Sequence, residues 1–340
     1  MTTPKTALPS PATPADRARK HSRLVGVARL LLPVLALLVV LPSTASAYLY
    51  WSSGGAIDRS NLDGTGLVEG LLPVSSLPWR ANSIAVSDTD LYLAGSGSGG
   101  MIGRADLNGG DAIPAFIRIP QPVAEPGMPQ NEANAHALAV GGDYLYWATG
   151  QGLIPSQHPN DAIGRARLDG TGIEPGLIKL ETEAWAISVY GRYIYWITQH
   201  AIGRANLDGS GVEPEFIPLH GLGDGGLAVA EGYIYWSAEH AIGRSRLNGR
   251  HIETHLVTGL LSASIPIAVG GRNLYWRTGE SQEEKATSRQ LRSWIGRAMT
   301  DGRDIHQHFL SIPYGGSALV TDERGPGAVH LHKHRPTQHR

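Results

Sequence analysis

One phrase of aromatic residues recurs along this chain at a period that few folds allow. It reads "YLYW" at 48–51 and 144–147, "YIYW" at 193–196 and 233–236, and "NLYW" at 273–276, with a degraded copy, "LYL", at 91–93. Each copy is followed by an Ile-x-Arg phrase that ends in Asp-Gly or Asn-Gly, as in "AIGRANLDG". The five intervals between Trp51 and Trp276 average 45 residues, the length of one four-stranded propeller blade. Six copies predict an all-β fold, a six-bladed β-propeller of four-stranded antiparallel blades.

The strands of each blade can be placed from local patterns. A short apolar strand such as "SIAV" at 83–86 precedes each aromatic strand, and a variable outer strand such as "VEPEFIPL" at 212–219 ends the blade. The Asp-Gly and Asn-Gly pairs predict two-residue type I′ turns, in which both central residues have positive φ. The first blade lacks its inner strand, and "SALVTD" at 317–322 has the pattern to supply it. We therefore expect the two ends of the propeller to meet in blade 1, which removes the exposed sheet edges.

The repeated residues predict the interior of a blade. Because side chains alternate along a strand, Tyr193 and Tyr195 share one face while Ile194 and Trp196 share the other. Small residues of the Ile-x-Arg strand leave room for the large ring opposite, and its arginine is expected to pack on aromatic rings. The residues that we assign to the scaffold are Trp51, Trp147, Trp196, Trp236, Trp276, Arg59, Arg104, Arg165, Arg204, Arg244 and Arg297.

Taken together, these phrases resemble the YWTD (class B) repeats of the low-density lipoprotein receptor family. The resemblance covers residues 48 to about 322 and implies a six-bladed propeller of a bacterial secreted type. The aspartate that ends the family's phrase is missing from every copy here, and no Cys-rich module is present. The resemblance therefore implies the scaffold but not lipoprotein binding.

The N-terminal segment, residues 1–47, predicts export from the cytoplasm. A basic stretch up to Arg29 leads into "LLLPVLALLVVL" at 30–41 and then to an A-x-A cleavage signal at Ala45 and Ala47. Cleavage would release a secreted protein, whereas an uncleaved segment over residues 24–41 would tether it to the cell membrane. We accordingly divide the chain into this segment, a propeller over 48–322 and a His-rich tail over 323–340, which we expect to be disordered.

Composition narrows the function. The 340 residues carry a net charge of −1, which does not favour nucleic-acid binding, and contain no cysteine, which excludes disulfides and thiolate chemistry. No nucleophile, phosphate-loop or zinc-protease motif is present. We expect a monomer without a cofactor.

The long connections between strands all fall on one side of the predicted propeller, the long-loop face. These connections are 76–82, 120–135, 148–161 and 277–294. Insertions gathered on one face mark a binding surface for a protein, peptide or glycan. The candidate ligand-binding residues are Asn82, Asn134, His136, Trp185, His200, Asp224, His240 and Trp294. An aromatic patch around Trp79, Trp185 and Trp294 would suit such a partner.

Two other functions remain open from the sequence. The protein could be a propeller enzyme, similar to a lactonase or a streptogramin lyase, with a metal at the mouth of the channel; this likeness is at the level of the fold alone. It could also be a rigid spacer at the cell surface. His330, His332 and His334 in the tail are weak candidates for a metal site, and a solvated tail is the preferred interpretation.

Overall fold

The computed structural model is an all-β, six-bladed propeller. It describes residues 47–73, 77, 79, 81–95, 97–121, 134–150, 161–219, 225–238, 240–260, 265–279, 292–313 and 318–322. Within these residues lie 24 strands, which form six four-stranded antiparallel sheets. The predicted fold class is confirmed.

Each blade consists of an innermost, a second, a third and an outer strand. The innermost strands of blades 1 to 6 are β24 (Leu319–Thr321), β4 (Ser83–Val86), β8 (Asn134–Gly141), β12 (Ala186–Tyr190), β16 (Leu227–Ala230) and β20 (Ile267–Gly270). The second strands, which carry the aromatic phrase, are β1 (Tyr48–Ser53), β5 (Asp90–Ala94), β9 (Tyr144–Gly150), β13 (Tyr193–Ile197), β17 (Tyr233–Ala238) and β21 (Asn273–Gly279).

The remaining two strands of each blade carry the Ile-x-Arg phrase and the variable segment. The third strands are β2 (Ala56–Asn61), β6 (Met101–Asp106), β10 (Ala162–Arg167), β14 (Ala201–Asn206), β18 (Ala241–Arg246) and β22 (Arg292–Met299). The outer strands are β3 (Val68–Pro73), β7 (Ile113–Arg118), β11 (Glu174–Lys179), β15 (Glu213–Pro218), β19 (Glu253–Val257) and β23 (His306–Pro313).

The ring closes in blade 1, through the strand from the C-terminal end of the propeller. β24 pairs with β1 in an antiparallel register that sets Leu49 opposite Thr321 and Trp51 opposite Leu319. Each innermost strand contacts the innermost strands of both neighbouring blades, so that β24 lies between β20 and β4. The ring belongs to one compact unit that begins at Ala45. All 24 strands, and all the described hydrophobic clusters, lie between Tyr48 and Thr321.

The aromatic strand packs in both directions around the ring. In β13, Ile194 and Trp196 join a cluster with Tyr146 of blade 3, whereas Tyr195 joins a cluster with Trp236 of blade 5. The five repeated tryptophans are fully buried. In blades 3 to 6 the ring lies over the glycine of the third strand: a Cβ built on Gly203 would lie 2.2 Å from Cε2 of Trp196. In blade 1 the residue opposite Trp51 is Asp58. Glycine is therefore required here because the indole occupies the space of a side chain.

Blade 2 has Leu93 where the other blades have tryptophan, and Trp79 fills the gap. Leu93 pairs with Gly103, the glycine of that blade's third strand. A Cβ on Gly103 would lie 3.4 Å from Cζ2 of Trp79, which is 5% exposed and shares a cluster with Leu93. An indole from the connection between β3 and β4 thus covers the glycine that the repeat leaves open. The prediction that Trp79 belongs to a surface patch is wrong for this reason.

All six repeated arginines contact aromatic rings, and four of them also donate to a carbonyl of the neighbouring blade. The guanidinium of Arg244 lies 5.0 Å from the ring centroid of Tyr233, donates from Nη1 to the carbonyl of Thr300 in blade 6 at 2.9 Å, and pairs with Glu253 at 3.0 Å. The corresponding bonds to the next blade are Arg59 to Leu107, Arg165 to Leu207 and Arg204 to Leu247. The cation–π contact was expected, whereas the bond between blades was not.

The turns after the third strands differ from the predicted type I′ form. In blade 1, Gly64 N–H donates to the carbonyl of Asn61, and Asn61 N–H donates to the carbonyl of Thr65. Gly64 has a φ of +84° while Asp63 stays outside the positive region, so the loop has three residues, a type I turn followed by a left-handed glycine. Leu62 enters the loop because it packs against the cluster that contains Leu49. The same bonds recur in all six blades.

Candidate functional site

The six innermost strands surround a central channel of about 1130 Å³. Alanine, valine, isoleucine and leucine supply much of its wall. Because each innermost strand begins on the long-loop face, the residues just before β4 and β12 and at the start of β8 lie at that mouth. Asn82, His136, Glu183 and Trp185 line the channel there, and Arg192 lines it at the opposite end, beside the short turns.

His136 and Glu183 form the polar centre of this mouth. Nε2 of His136 lies 3.7 Å from Oε1 of Glu183 and 2.7 Å from the carbonyl oxygen of Ala184. A carbonyl oxygen can only accept, so Nε2 carries the proton and donates it to Ala184. Nδ1 is buried and has no hydrogen-bond partner among the described residues. The ring therefore ties blade 3 to the segment that enters blade 4.

Trp185 and Asn82 are held at the mouth by their backbones. Trp185 N–H donates to the carbonyl of Ile197 at 2.8 Å, and Asn82 N–H donates to the carbonyl of Ala94 at 2.9 Å. Each bond extends the pairing of an innermost strand with its second strand by one residue. The indole of Trp185 is half-buried and packs against the cluster of blades 4 and 5. The mouth thus presents an indole, an amide and a carboxylate on a rigid frame.

Two other predicted residues have structural partners away from the channel. Oδ1 of Asn134 lies 3.3 Å from Ser98 Oγ and accepts from Gly100 N–H at 3.3 Å, which anchors the segment between β5 and β6. His240 has a φ of +67°, and its Nδ1 donates to the carbonyl of Leu260 at 2.7 Å. Neither residue belongs to the wall of the channel.

The remaining predicted positions are at the surface or outside the described residues. His200 is exposed, and its carbonyl accepts from Leu219 N–H. Trp294 stacks on His308 of the outer strand in blade 6, with ring centroids 4.7 Å apart. Asp224 and the tail histidines His330, His332 and His334 lie outside the described residues. The predicted set therefore contributes Asn82, His136 and Trp185 to a common mouth.

Glu183 is the member of the mouth that sequence reasoning missed. It lies two residues before Trp185, in a segment that has no equivalent in the other blades. The described atoms explain its position: a Cβ on Gly150 would lie 2.6 Å from Oε1 of Glu183, so the carboxylate occupies space that a larger residue would fill. Gly150, at the end of β9, was the sequence feature that could have indicated space for a side chain such as Glu183. The sequence pattern places Gly150 in a loop.

The described residues of the mouth provide too few ligands for a protein-bound metal. His136 and Glu183 provide two potential donors, and one nitrogen of the histidine is already bonded to a carbonyl. Across the described residues there is no group of three or more His, Asp or Glu side chains that could hold a metal ion. Catalytic zinc sites use three protein ligands, so the described residues do not fit the metal centre that the enzyme hypothesis needs.

Comparison with known proteins assigns no family. No family model matches the chain, and no curated protein matches it in sequence. In the part of the chain that the structure describes, there is no helix of the length and apolarity that crossing a membrane requires. The likeness to YWTD repeats therefore depends on the repeat phrases and on the shared number of blades.

Proposed function

We propose that the protein is a binding module that holds a protein, peptide or glycan against its long-loop face. The propeller fold is consistent with a binding or scaffold role. The observation that carries the proposal is the composition of the long-loop mouth: the indole of Trp185, the carboxylate of Glu183, the amide of Asn82 and the imidazole of His136 all line this end of an apolar channel. Binding sites combine apolar walls with a few fixed polar groups in this way.

The rigidity of the mouth supports this function. Backbone hydrogen bonds hold Asn82 and Trp185, and the imidazole of His136 is bonded to Ala184. Side chains that are ordered before the partner arrives lose less conformational entropy on binding. An indole offers a flat apolar face to a sugar ring or to a side chain, while a carboxylate and an amide can fix polar groups of either partner.

The cellular setting belongs to the same proposal. We propose that the blades are YWTD-type repeats of a bacterial extracytoplasmic protein that is secreted or anchored to the cell membrane. The aromatic and Ile-x-Arg phrases support the repeat family, and the basic and apolar segments before Ala47 support export. A monomer is sufficient for this role.

Screening against peptide and glycan arrays, followed by measurement of Kd, tests the binding function. Trp185→Ala should weaken capture of the selected partner by about tenfold or more, as the loss of a central aromatic anchor does. Glu183→Gln should also weaken capture of the partner, because it removes the negative charge while keeping the size of the side chain. Trp294→Ala is the matched control, because this indole lies against His308 on the outer strand, and it should change Kd by less than about twofold. Equal effects of Trp185→Ala and Trp294→Ala would contradict the proposed site.

The alternative is an enzyme of the lactonase or streptogramin-lyase type. The pairing of His136 with Glu183 at 3.7 Å is the observation that favours it, since such enzymes need an acid–base group at this mouth. Hydrolysis or elimination of a lactone by the protein, lost on His136→Ala, would favour this function over binding alone.

A further inference from the structure

Blade 1 has a break that no other blade has. In blades 2 to 6 a short turn joins the innermost strand to the second strand, so the end of the innermost strand is held covalently. In blade 1 these two strands come from opposite ends of the propeller and meet only through pairing, with Leu49, Tyr50 and Trp51 opposite Thr321, Val320 and Leu319. The outer end of this short ladder is where the ring can begin to open.

A carboxylate sits at that end of the ladder. Asp322 N–H donates to the carbonyl of Tyr48 at 3.1 Å, as expected for an antiparallel pair. The return bond is unusual, because Tyr48 N donates to Oδ1 of Asp322 at 2.5 Å instead of to a backbone carbonyl. An amide needs only a neutral acceptor, whereas a carboxylate is matched to a positively charged donor.

The backbone nitrogen of Tyr48, which donates to Asp322, would become the amino terminus when the signal peptide is cleaved. The A-x-A signal of Ala45 and Ala47 places the cleaved bond between Ala47 and Tyr48. Hydrolysis of this bond by a signal peptidase consumes one water and leaves a carboxylate on Ala47 and an α-ammonium on Tyr48. Near neutral pH this amine is largely protonated. Nearby, the guanidinium of Arg59 lies 4.5 Å from the centroid of the Tyr48 ring, where cation–π attraction holds it.

We propose that cleavage after Ala47 creates an α-ammonium on Tyr48 that pairs with Asp322. This ion pair fastens blade 1, the one blade of the described ring in which no turn joins the innermost strand to the second strand. Processing thereby strengthens the closed propeller in addition to releasing it. The amide bond of the precursor becomes a charge-assisted bond at the same position. The inference depends on the proposed export but not on the binding function.

The first experiment identifies the amino terminus of the full chain after export from a bacterial host. Edman degradation and intact mass should give Tyr48 as the first residue. Retention of residues 1–47, or a terminus at any other residue, would overturn the proposal. A failure of the binding experiments would leave this result unchanged, so the two proposals can fail separately.

The second experiment is a double-mutant cycle on the ring, which contains every strand and core cluster described above. Chains beginning at Tyr48 and at Thr44 are each compared with their Asp322→Asn variants by urea unfolding. The carboxamide of the variant still accepts from an amide but carries no charge to pair with an ammonium. We expect the substitution to raise the unfolding constant about tenfold in the chain that begins at Tyr48 and about twofold in the longer chain. Equal changes in both would overturn the proposal.

A matched control and a measurement without substitutions complete the test. Asp88→Asn changes an exposed aspartate in the corresponding turn of blade 2 and should change the unfolding constants of both chains equally.

The α-amino group of Tyr48 should also be acetylated several-fold more slowly in the folded protein than in urea, because the amine is protonated and bound to Asp322. Equal acetylation rates in the two conditions would contradict the pairing even if the Asp322 variant does not fold.

Discussion

The smallest unit of the scaffold is the contact between one glycine and one indole. A side chain at Gly203 would lie 2.2 Å from Cε2 of Trp196, closer than real atoms approach, so either the ring or the strand must move. Overpacking of this kind commonly costs a few kcal/mol because neighbouring groups leave their preferred rotamers. The indole and the missing side chain are therefore one structural feature shared by two strands.

Gly203→Ala should consequently lower the free energy of unfolding by about 2 kcal/mol, measured by urea denaturation. Gly176→Ala is the matched control, because this strand glycine of the neighbouring blade has no atom within 4 Å of the added carbon. It should leave stability unchanged or raise it by about 0.5 kcal/mol, since alanine restricts the unfolded chain. A neutral Gly203→Ala variant would contradict the packing of the indole.

At the scale of single residues, the sequence predicted the recurring positions well. The buried tryptophans, the glycines beneath four of them and the stacked arginines follow from the repeat, because equivalent positions meet similar neighbours from blade to blade. Trp79 and Glu183 did not follow from it. Both lie in connections without equivalents in other blades, and their partners, Gly103 and Gly150, are distant in sequence. Their positions depend on tertiary contacts that periodicity does not encode.

At the scale of the blade, a tyrosine hydroxyl joins the aromatic strand to the turn of the next blade in four of the six blades. The hydroxyl of Tyr92 donates to the carbonyl of Leu168 at 3.0 Å, and that of Tyr235 donates to Thr300 at 3.4 Å. Burial is the main cause that raises the pKa of each of these two phenols to about 12. Burial likewise raises the pKa of Tyr50, Tyr146 and Tyr195. These side chains must stay neutral while the blades are packed.

We therefore expect stability to fall in alkali over a defined range. The phenols ionise near pH 10 in the unfolded chain but near pH 12 for Tyr92 and Tyr235 in the fold, so their contribution is complete below pH 10 and is lost by about pH 12. Urea unfolding between pH 9 and 12 should show this decline, and Tyr92→Phe should reduce its steepness. Tyrosinate absorbance that titrates entirely near pH 10 in the folded protein would refute the expectation.

The turns show a limit of prediction at the same scale. An Asp-Gly pair favours either a two-residue loop or a three-residue loop with a left-handed glycine. In five blades the preceding residue is a leucine that packs against a hydrophobic cluster, as Leu62 does, and in blade 6 Thr300 takes this position in the same loop. In four blades the turn aspartate also has a lowered pKa, because Thr65, Thr171, Ser210 or Arg303 donates hydrogen bonds to it.

At the scale of the whole molecule, the ring creates the channel and its mouth. The number of blades could be predicted from the six repeats, whereas the pattern at 317–322 only suggested which strand closes the ring. The composition of the mouth could be predicted only in part, because residues that come together there belong to different blades. The proposed binding function depends on this mouth and hence on closure by β24.

Truncation of the full chain tests that closure most directly. One chain ends at Asp322 and keeps β24, while the other ends at Gly316 and lacks the buried Ala318 and Leu319. The first should unfold in urea within about 0.5 kcal/mol of the intact protein. The second should lose about 3 kcal/mol or more, because a paired strand and its apolar contacts are removed from an otherwise closed ring. Equal stability of the two truncated chains would contradict a propeller closed by its C-terminal strand.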